Sequence, residues 1–172
     1  MSNVWFIGDI HAGHKNIQKL RGSCTSEEDN RNQIEEAWKE KVKKKDLVWV
    51  LGDAAFTEEG LDWIGSLSGL KYLVRGNHDC LSTRRYLDVF EEVHGIVRYK
   101  QYWLTHAPIH PDELRGKVNL HGHVHYATIK VASSTQPLNS IVDTRYLNCS
   151  VEGLRHAFGS PIVSLEQVRG VL

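Results

Sequence analysis

Val4-Trp5-Phe6-Ile7 form an unbroken apolar run that stops at Gly8. Continuous rather than alternating hydrophobicity predicts a strand covered on both faces, here Asn3 to Gly8. Leu47 to Leu51 repeats the pattern, and Lys71 to Val74 gives a third strand. Between these runs the period lengthens. A short helix is expected from Lys15 to Leu20. Ser26 with Asp29 resembles a capping box and starts a helix that runs to about Lys45, with Ile34, Ala37, Trp38, Lys41 and Val42 on one face. Its acidic start and lysine-rich end match the helix dipole, so the lysines read as a solvated terminus and not a nucleic-acid site. Glu58 to Ser66 predicts another helix, with Leu61, Ile64 and Leu67 facing inward, and Leu81 to Phe90 a further short one.

After Val93 the texture changes. Gly95 to Leu104, Val118 to Leu120, Ala127 to Ala132 and Arg145 to Cys149 predict shorter strands separated by loops. Pro161 leads into a last strand, Ile162 to Leu165, and Ser164 with Gln167 caps a final helical turn from Glu166 to Val171. Strand and helix alternate in the first half, the signature of a parallel sheet with helices on its faces. The second half favours antiparallel or mixed pairing. With no repeat, low-complexity tract or linker, residues 1–172 are expected to form one domain.

The ends of the strands carry the unusual residues. Gly8-Asp9-Ile10-His11, Gly52-Asp53, Gly76-Asn77-His78-Asp79, Thr105-His106 and Gly122-His123-Val124-His125 each follow an apolar run. A plain turn wants Gly with Asn or Asp but gains nothing from an adjacent His. Six of the ten histidines (11, 78, 106, 121, 123 and 125) lie in or beside these motifs. In a sheet with parallel strands, loops at the strand C-terminal ends form the binding crevice.

Charge adds an exclusion. Lys plus Arg number 21 and Asp plus Glu 21, so no broad field attracts nucleic acid or an anionic membrane. Cys24, Cys80 and Cys149 are odd in number and share no close spacing, which suits free thiols in a reducing cytosol. No apolar run approaches membrane-spanning length and no leader pattern precedes the first strand, so a soluble, cytoplasmic protein is expected.

Asp9, His11, Asp53, Asn77, His106, His123 and His125 together offer oxygen and imidazole donors without thiolate. One zinc needs four ligands, so seven suit two metals sharing a bridging carboxylate. Two such ions, roughly 3.5–4 Å apart, clamp a phosphoryl group during in-line displacement. The donor set suits Mn, Fe, Zn or Ni and is too rich in nitrogen for a Mg or Ca cage.

These motifs, in this order and covering about two thirds of the chain, resemble the calcineurin-like metallophosphoesterase superfamily. Within it the chain is similar to small, cap-less bacterial and phage proteins with an Asp-x-His-x-Gly-His-x-Asn stretch, matched by Asp9 to Asn16. The resemblance implies an α/β sandwich of two mixed β-sheets flanked by helices. It implies two divalent transition metals, Mn foremost, with Asp9, His11 and His125 on the first, Asn77, His106 and His123 on the second, and Asp53 bridging. A metal-bridging hydroxide would attack phosphorus. His78 would stand near the leaving oxygen as general acid or phosphoryl donor, with Asp79 orienting it.

Outside that set, His14 and Arg75 are candidate substrate contacts, against the plainer readings of a solvated helix start and an ion pair. Asp9 and Asp53 as simple helix caps do not explain their His and Asn companions. His121 reads as a strand or supporting residue, and Asn148 as a neighbour of the site outside the ligand set. His94, His110 and His156 read as ordinary histidines, and the five tryptophans as packing residues. The expected activity is phosphodiester hydrolysis, with monoesters as possible further substrates, on a small-molecule phosphoester or nucleotide; nucleic-acid ends remain open as substrates, and no membrane partner is expected. Oligomeric state is left open. Two other readings stand beside it: a nuclease whose partner supplies the nucleic-acid surface, and a non-catalytic scaffold like the retromer subunit of the same fold. That subunit lacks part of the catalytic set, which is complete here.

Overall fold

The computed structural model describes residues 2–132 and 140–172. In chain order the elements are β1 (Val4–Ile7), α1 (Ile17–Leu20), α2 (Glu27–Lys41), β2 (Leu47–Val50), α3 (Glu58–Ser66), β3 (Leu70–Val74), α4 (Thr83–Tyr86), β4 (Glu92–His94), β5 (Ile96–Tyr99), β6 (Tyr102–Thr105), a 3-10 turn (Pro111–Glu113), β7 (Val118–His121), β8 (Lys130–Ala132), β9 (Ser140–Val142), β10 (Tyr146–Asn148), α5 (Val151–Phe158), β11 (Val163–Ser164) and α6 (Leu165–Val171). They form a five-stranded sheet, β11-β1-β2-β3-β4, a four-stranded sheet, β10-β7-β6-β5, and the separate β8-β9 hairpin. The first sheet is parallel from β1 to β4, with β11 antiparallel at its edge; the second pairs β6, β7 and β10 in parallel and β5 antiparallel. This is the mixed α/β sandwich that the resemblance implies.

Alternation along β1, β2 and β3 explains their continuous hydrophobicity. Trp5, Ile7, Val48, Val50 and Leu73 face the core that holds Ile34 and Trp38 of α2 and Leu61 and Ile64 of α3. Phe6, Trp49, Leu51 and Val74 face the other way, onto Tyr102, Leu104 and Leu120 of the second sheet. Each strand is therefore sandwiched between helices and a second sheet, and both side-chain sets leave water. One polar residue pins this arrangement at its lower end. The buried Asp46 carboxylate accepts from the Asn3 and Lys43 backbone N–H groups (2.7 and 3.0 Å) and from the Trp5 indole (3.1 Å).

Several boundaries depart from the sequence reading. α2 stops at Lys41, because Val42 turns extended (φ −90°, ψ 123°) and buries its side chain while Asp46 closes the turn that follows. Leu81 to Phe90 yields only the short α4, capped by Ser82. The single strand expected from Gly95 to Leu104 is a hairpin, β5-β6, turned at Lys100 with φ 55°. β4 was not anticipated; its three residues pair with β3 at the sheet edge. α5 was also missed, although Ser150 caps it through the Gly153 N–H and Gly159 ends it in the left-handed region at φ 68°. The terminal capping box at Ser164 and Gln167 forms as read. Among the described residues, no helix is long and apolar enough to cross a membrane.

Candidate metal centre

The C-terminal ends of β1, β2 and β3 in one sheet and of β6 and β7 in the other open onto the same place. Loop-to-loop hydrogen bonds hold them together: Asp9 N–H to Gly52 O (2.9 Å), His11 N–H to Asp53 O (2.9 Å) and Gly122 N–H to His106 O (2.8 Å). The backbone there is unusual. Asp9, His11, Asp53, His123 and His125 all have positive φ, between 49° and 72°. A non-glycine residue held in this left-handed region costs on the order of 1–3 kcal/mol, and such strain gathers at functional sites. Five candidate ligands share it.

The side chains converge accordingly. His11 Nε2 lies 3.7 Å from Asp9 Oδ1 and 3.8 Å from Asp53 Oδ2, and His125 Nε2 lies 3.9 Å from Asp9 Oδ1. His106 Nε2 lies 2.9 Å from Asn77 Oδ1, 3.2 Å from His123 Nδ1 and 3.4 Å from Asp53 Oδ2. Asp9, His11 and His125 form one group able to hold a metal ion; Asp9, Asp53 and His106 form another. The two groups share Asp9, while one oxygen of Asp53 reaches both His11 and His106. All seven expected ligands are brought together.

Three observations fit a cation here. Both ring nitrogens of buried His11 lack a hydrogen-bond partner. His106 Nδ1 faces the Leu51 carbonyl at 3.0 Å and so carries the proton, which leaves a lone pair on Nε2 in the neutral ring. That lone pair points among an amide oxygen, a carboxylate oxygen and a second imidazole, a cluster of acceptors that a cation satisfies. Finally, a Cβ on Gly76 would lie 2.3 Å from Asp53 Oδ1, one on Gly122 2.2 Å from Asp9 Oδ2, and one on Gly52 2.3 Å from His106 Nδ1. The strand-end glycines are the space into which ligands fold.

The charges are mutually adjusted. Burial works to raise the Asp53 pKa, but hydrogen bonding to His106 and the His78 N–H outweighs it and holds the carboxyl low. Burial pulls His106 down, yet Asp53 and the Leu51 carbonyl bring it above its ordinary value. In the metal-free protein a proton on His106 thus favours the place that positive charge wants.

The remaining predicted residues divide. His78 is exposed, with its ring stacked on Phe56 (centroids 5.0 Å, 26°) and 5.8 Å from the His11 ring. Asp79 does not act as expected. Both of its buried carboxylate oxygens accept backbone N–H groups, from Asp53 (2.9 Å), Ala54 (2.9 Å) and Gly76 (2.8 Å), so it ties the β2 loop to the β3 loop and not the His78 ring. The Arg75 guanidinium donates to Asp79 O, Leu81 O and Thr83 Oγ1 and lies over the Tyr86 ring, so it folds the 79–83 loop, and the residue also lines a cavity with Asn77, His106 and His123. His14 stands edge-on to Phe56 (4.7 Å) at the rim. His121 is buried and outside the ligand group. Asn148 donates to the His125 carbonyl at 2.6 Å, which places it behind a ligand, as a neighbour of the site.

Three supporting residues escaped the sequence reading. Fully buried Arg21 donates to the Asp9 carbonyl (2.6 Å), Asn30 Oδ1 (2.7 Å) and Glu152 Oε1 (2.8 Å). Glu152 Oε1 lies 3.2 Å from His125 Nδ1. A carboxylate behind a histidine fixes its tautomer and aims the other nitrogen at the metal. Burial pushes Glu152 up, but His125 and Arg21 pull it down to about 2, so it stays ionised. Phe56 is the third, a half-exposed ring against His11, His14 and His78. In sequence nothing links Glu152 to Arg21, and the helix that carries Glu152 was itself not anticipated.

Comparison with known proteins agrees with this geometry. The family model for calcineurin-like phosphoesterases matches residues 2–158. The Gene 66 protein of Mycobacterium phage L5 is 31% identical, the match covering 73% of this chain and 78% of that protein. An uncharacterised protein of Methanocaldococcus jannaschii is 30% identical over 73% of this chain and 70% of its own. In structure, a protein of unknown function from Aquifex aeolicus superposes over 100% of both chains with a TM-score of 0.73 at 21% identity, a likeness of fold. With a matched family model and a converged ligand cluster, the chain belongs to the calcineurin-like phosphoesterase family of metal-dependent phosphoric ester hydrolases.

Proposed function

We propose that this protein is a binuclear metal-dependent phosphodiesterase acting on small phosphoesters or nucleotides. The observation that carries the reading is Asp53. Its Oδ2 lies between His11 and His106, 3.8 and 3.4 Å from their Nε2 atoms, and so stands where a bridge between two ions would. Asp9, His11 and His125 would hold one ion, and Asn77, His106 and His123 the other. Bound divalent cations of this donor set, Mn foremost, would neutralise phosphoryl charge and lower the pKa of water. Asp53 keeps its other oxygen on the His78 N–H (2.8 Å), which couples the bridge to the backbone of the candidate acid. Phe56 backs the His78 ring, leaving its edge free to donate a proton to a departing oxygen.

Diesters are favoured over monoesters because the site is rimmed by imidazoles and an aromatic ring. The Arg75 guanidinium, which would neutralise a dianion, spends N–H groups on Asp79 O, Leu81 O and Thr83 Oγ1. The net charge of zero weighs against a processive nuclease, which wants a basic groove. The completeness of the ligand set weighs against a scaffold role.

The test compares bis-p-nitrophenyl phosphate with p-nitrophenyl phosphate on protein stripped of metal and reloaded with Mn²⁺. The diester is expected to turn over faster; a monoester preference would move the activity to phosphatase. Asp53→Ala should lose both binuclear loading, read as metal per chain, and turnover. Two bound metals and a near-normal rate in that variant would refute the bridge. His78→Ala should keep metal and lose rate, most for poor leaving groups. Equal losses for good and poor leaving groups would remove His78 from the acid role.

A further inference from the structure

A cavity of about 680 Å³ lies between α5 and the loop that leads to β8. It meets the ligand cluster only at His125, from the side where Glu152 and Asn148 stand behind that residue. Asp53, His11 and His106 do not line it. The cavity is therefore a chamber apart from the place where two ions would meet a phosphoryl group, and its own walls say what it takes.

Those walls carry unbalanced charge. Glu152 is the acidic residue among them, and its Oε1 is already held by Arg21 at 2.8 Å and faces His125 Nδ1 at 3.2 Å. A second arginine, Arg155, sits one turn further along α5 and is left without an acid. Its Nη1 donates to the Ser23 hydroxyl, and among the described residues no carboxylate pairs with it. Glu36 and Glu40 border its other side, along α2, without forming an ion pair to it. Ser23 also lines the cavity, so the hydroxyl contact sets the guanidinium at the cavity wall, with exposed His156 beside it in sequence and in the lining. A guanidinium has five N–H donors and Ser23 accepts one of them. Arg155 is half-buried, so the charge is partly withdrawn from water and has only a neutral protein partner.

The rest of the surface is different. Ile129, Leu147 and Ala157 contribute apolar wall, and the Tyr126 and Tyr146 rings flank it. The buried His121 ring is engaged at Nδ1 by the Gly122 carbonyl at 2.8 Å and adds no free charge. A cation next to apolar and aromatic surface, in a volume of the size that small organic ligands occupy, matches a ligand with one anionic end and a flat body. The planar fork of an arginine pairs best with a carboxylate or a phosphate. We infer that this cavity binds an organic oxyanion, a phosphate or carboxylate carried on a flat apolar body, with the oxyanion on Arg155 and the body against Ile129, Leu147 and Ala157. The site is independent of the metal centre and of the diesterase reading.

The experiment uses metal-free protein, in which the ligand cluster offers no cation to an oxyanion. Equilibrium dialysis compares 1-naphthyl phosphate, 1-naphthoate and the neutral 1-naphthalenemethanol, which share one ring system. Wild type should bind at least one of the two anions about tenfold or more tightly than the alcohol, the scale of a charge-assisted hydrogen bond. Whichever anion binds more tightly identifies the natural ligand as an organic phosphate or a carboxylic acid. Arg155→Met keeps the apolar stem and should bring that anion down to the affinity of the alcohol. Ala157→Phe, at an exposed position of α5 where the fold tolerates a larger side chain, should weaken all three probes by narrowing the cavity. Equal binding of the anions and the alcohol by wild type overturns the inference. So does an anion preference that survives Arg155→Met, and one that survives there but is lost in His123→Ala belongs to the empty ligand cluster.

Discussion

At the scale of single residues, the site is built by backbone positions that most side chains avoid. Asp9, His11, Asp53, His123 and His125 hold positive φ, and the glycines beside them leave room for the carboxylates and the imidazole. Gly122 shows the consequence. It does not need a positive φ; it needs to be small, because Asp9 Oδ2 lies 2.2 Å from where a Cβ would sit. Gly122→Ala is expected to push the Asp9 carboxylate off position and weaken Mn²⁺ binding about 10–100-fold, the range for disturbed ligand support. The added Cβ would also stand 3.0 Å from the Leu51 carbonyl oxygen, so the thermal midpoint of the metal-free protein should fall as well. Competition with a chelating dye measures the first and a melting curve the second; unchanged affinity would take Asp9 out of the ligand set. The seven candidate ligands were legible in the sequence because His and Asn beside Gly-Asp have no structural reason to recur at strand ends. The roles of Asp79 and Arg75 were not. Adjacency to His78 and to Gly76 suggested catalysis and substrate contact, whereas their hydrogen bonds run to backbone groups of the loops.

At the scale of elements, α5 matters more than its late position suggests. It buries Val151 and Leu154, and its first turn carries Glu152 into contact with Arg21 and His125. Removing the carboxylate has two separable effects. Glu152→Ala leaves the buried Arg21 guanidinium without its charge partner, which should cost about 3–5 kcal/mol of stability. Glu152→Gln keeps the shape and an acceptor for one partner, so the fold should survive while metal affinity falls by at least about tenfold. Denaturant unfolding together with metal titration distinguishes the two. A Glu152→Gln variant with wild-type metal affinity would show that the glutamate serves only Arg21. This helix was invisible to periodicity because it is short and follows directly on β10. Only the Ser150 cap and Gly159 mark its ends.

At the scale of the whole molecule, two sheets place five loops at one edge, and the staple at Asp46 fixes the opposite end of the first sheet. Burial pushes the Asp46 carboxyl up, but the Lys43 and Asn3 N–H groups and the Trp5 indole bring it below the usual carboxylate range. A depressed folded-state pKa contributes stability that is complete above the unfolded value and is lost as pH falls through the folded one. Asp46→Asn should therefore melt lower than wild type at neutrality, and the gap should close as pH falls below the usual carboxylate range of about 4 and through the depressed folded-state pKa, where wild type loses the same contribution. Melting curves across that range check it; a gap independent of pH would mean that the carboxylate charge contributes nothing.

The sequence by itself determined β1, β2, β3 and β11, the helices α2 and α3, and the cluster of metal-capable residues at strand ends. Each of these is written in short-range signals: continuous apolar runs, a period near four, and clusters of metal-capable residues after glycine. What only the tertiary structure decided is how those ends meet. The place of Asp53 between His11 and His106 depends on β2 lying between β1 and β3 and on the second sheet closing over Trp49 and Leu51. The support that Arg21 gives Asp9 and Glu152 joins residues 131 positions apart. The cavity beside His125 exists because α5 and the loop before β8 fold back to the same ligand. Local patterns specify which groups are present, but distances between groups remote in sequence are set by packing, and the chemistry of the site depends on those distances.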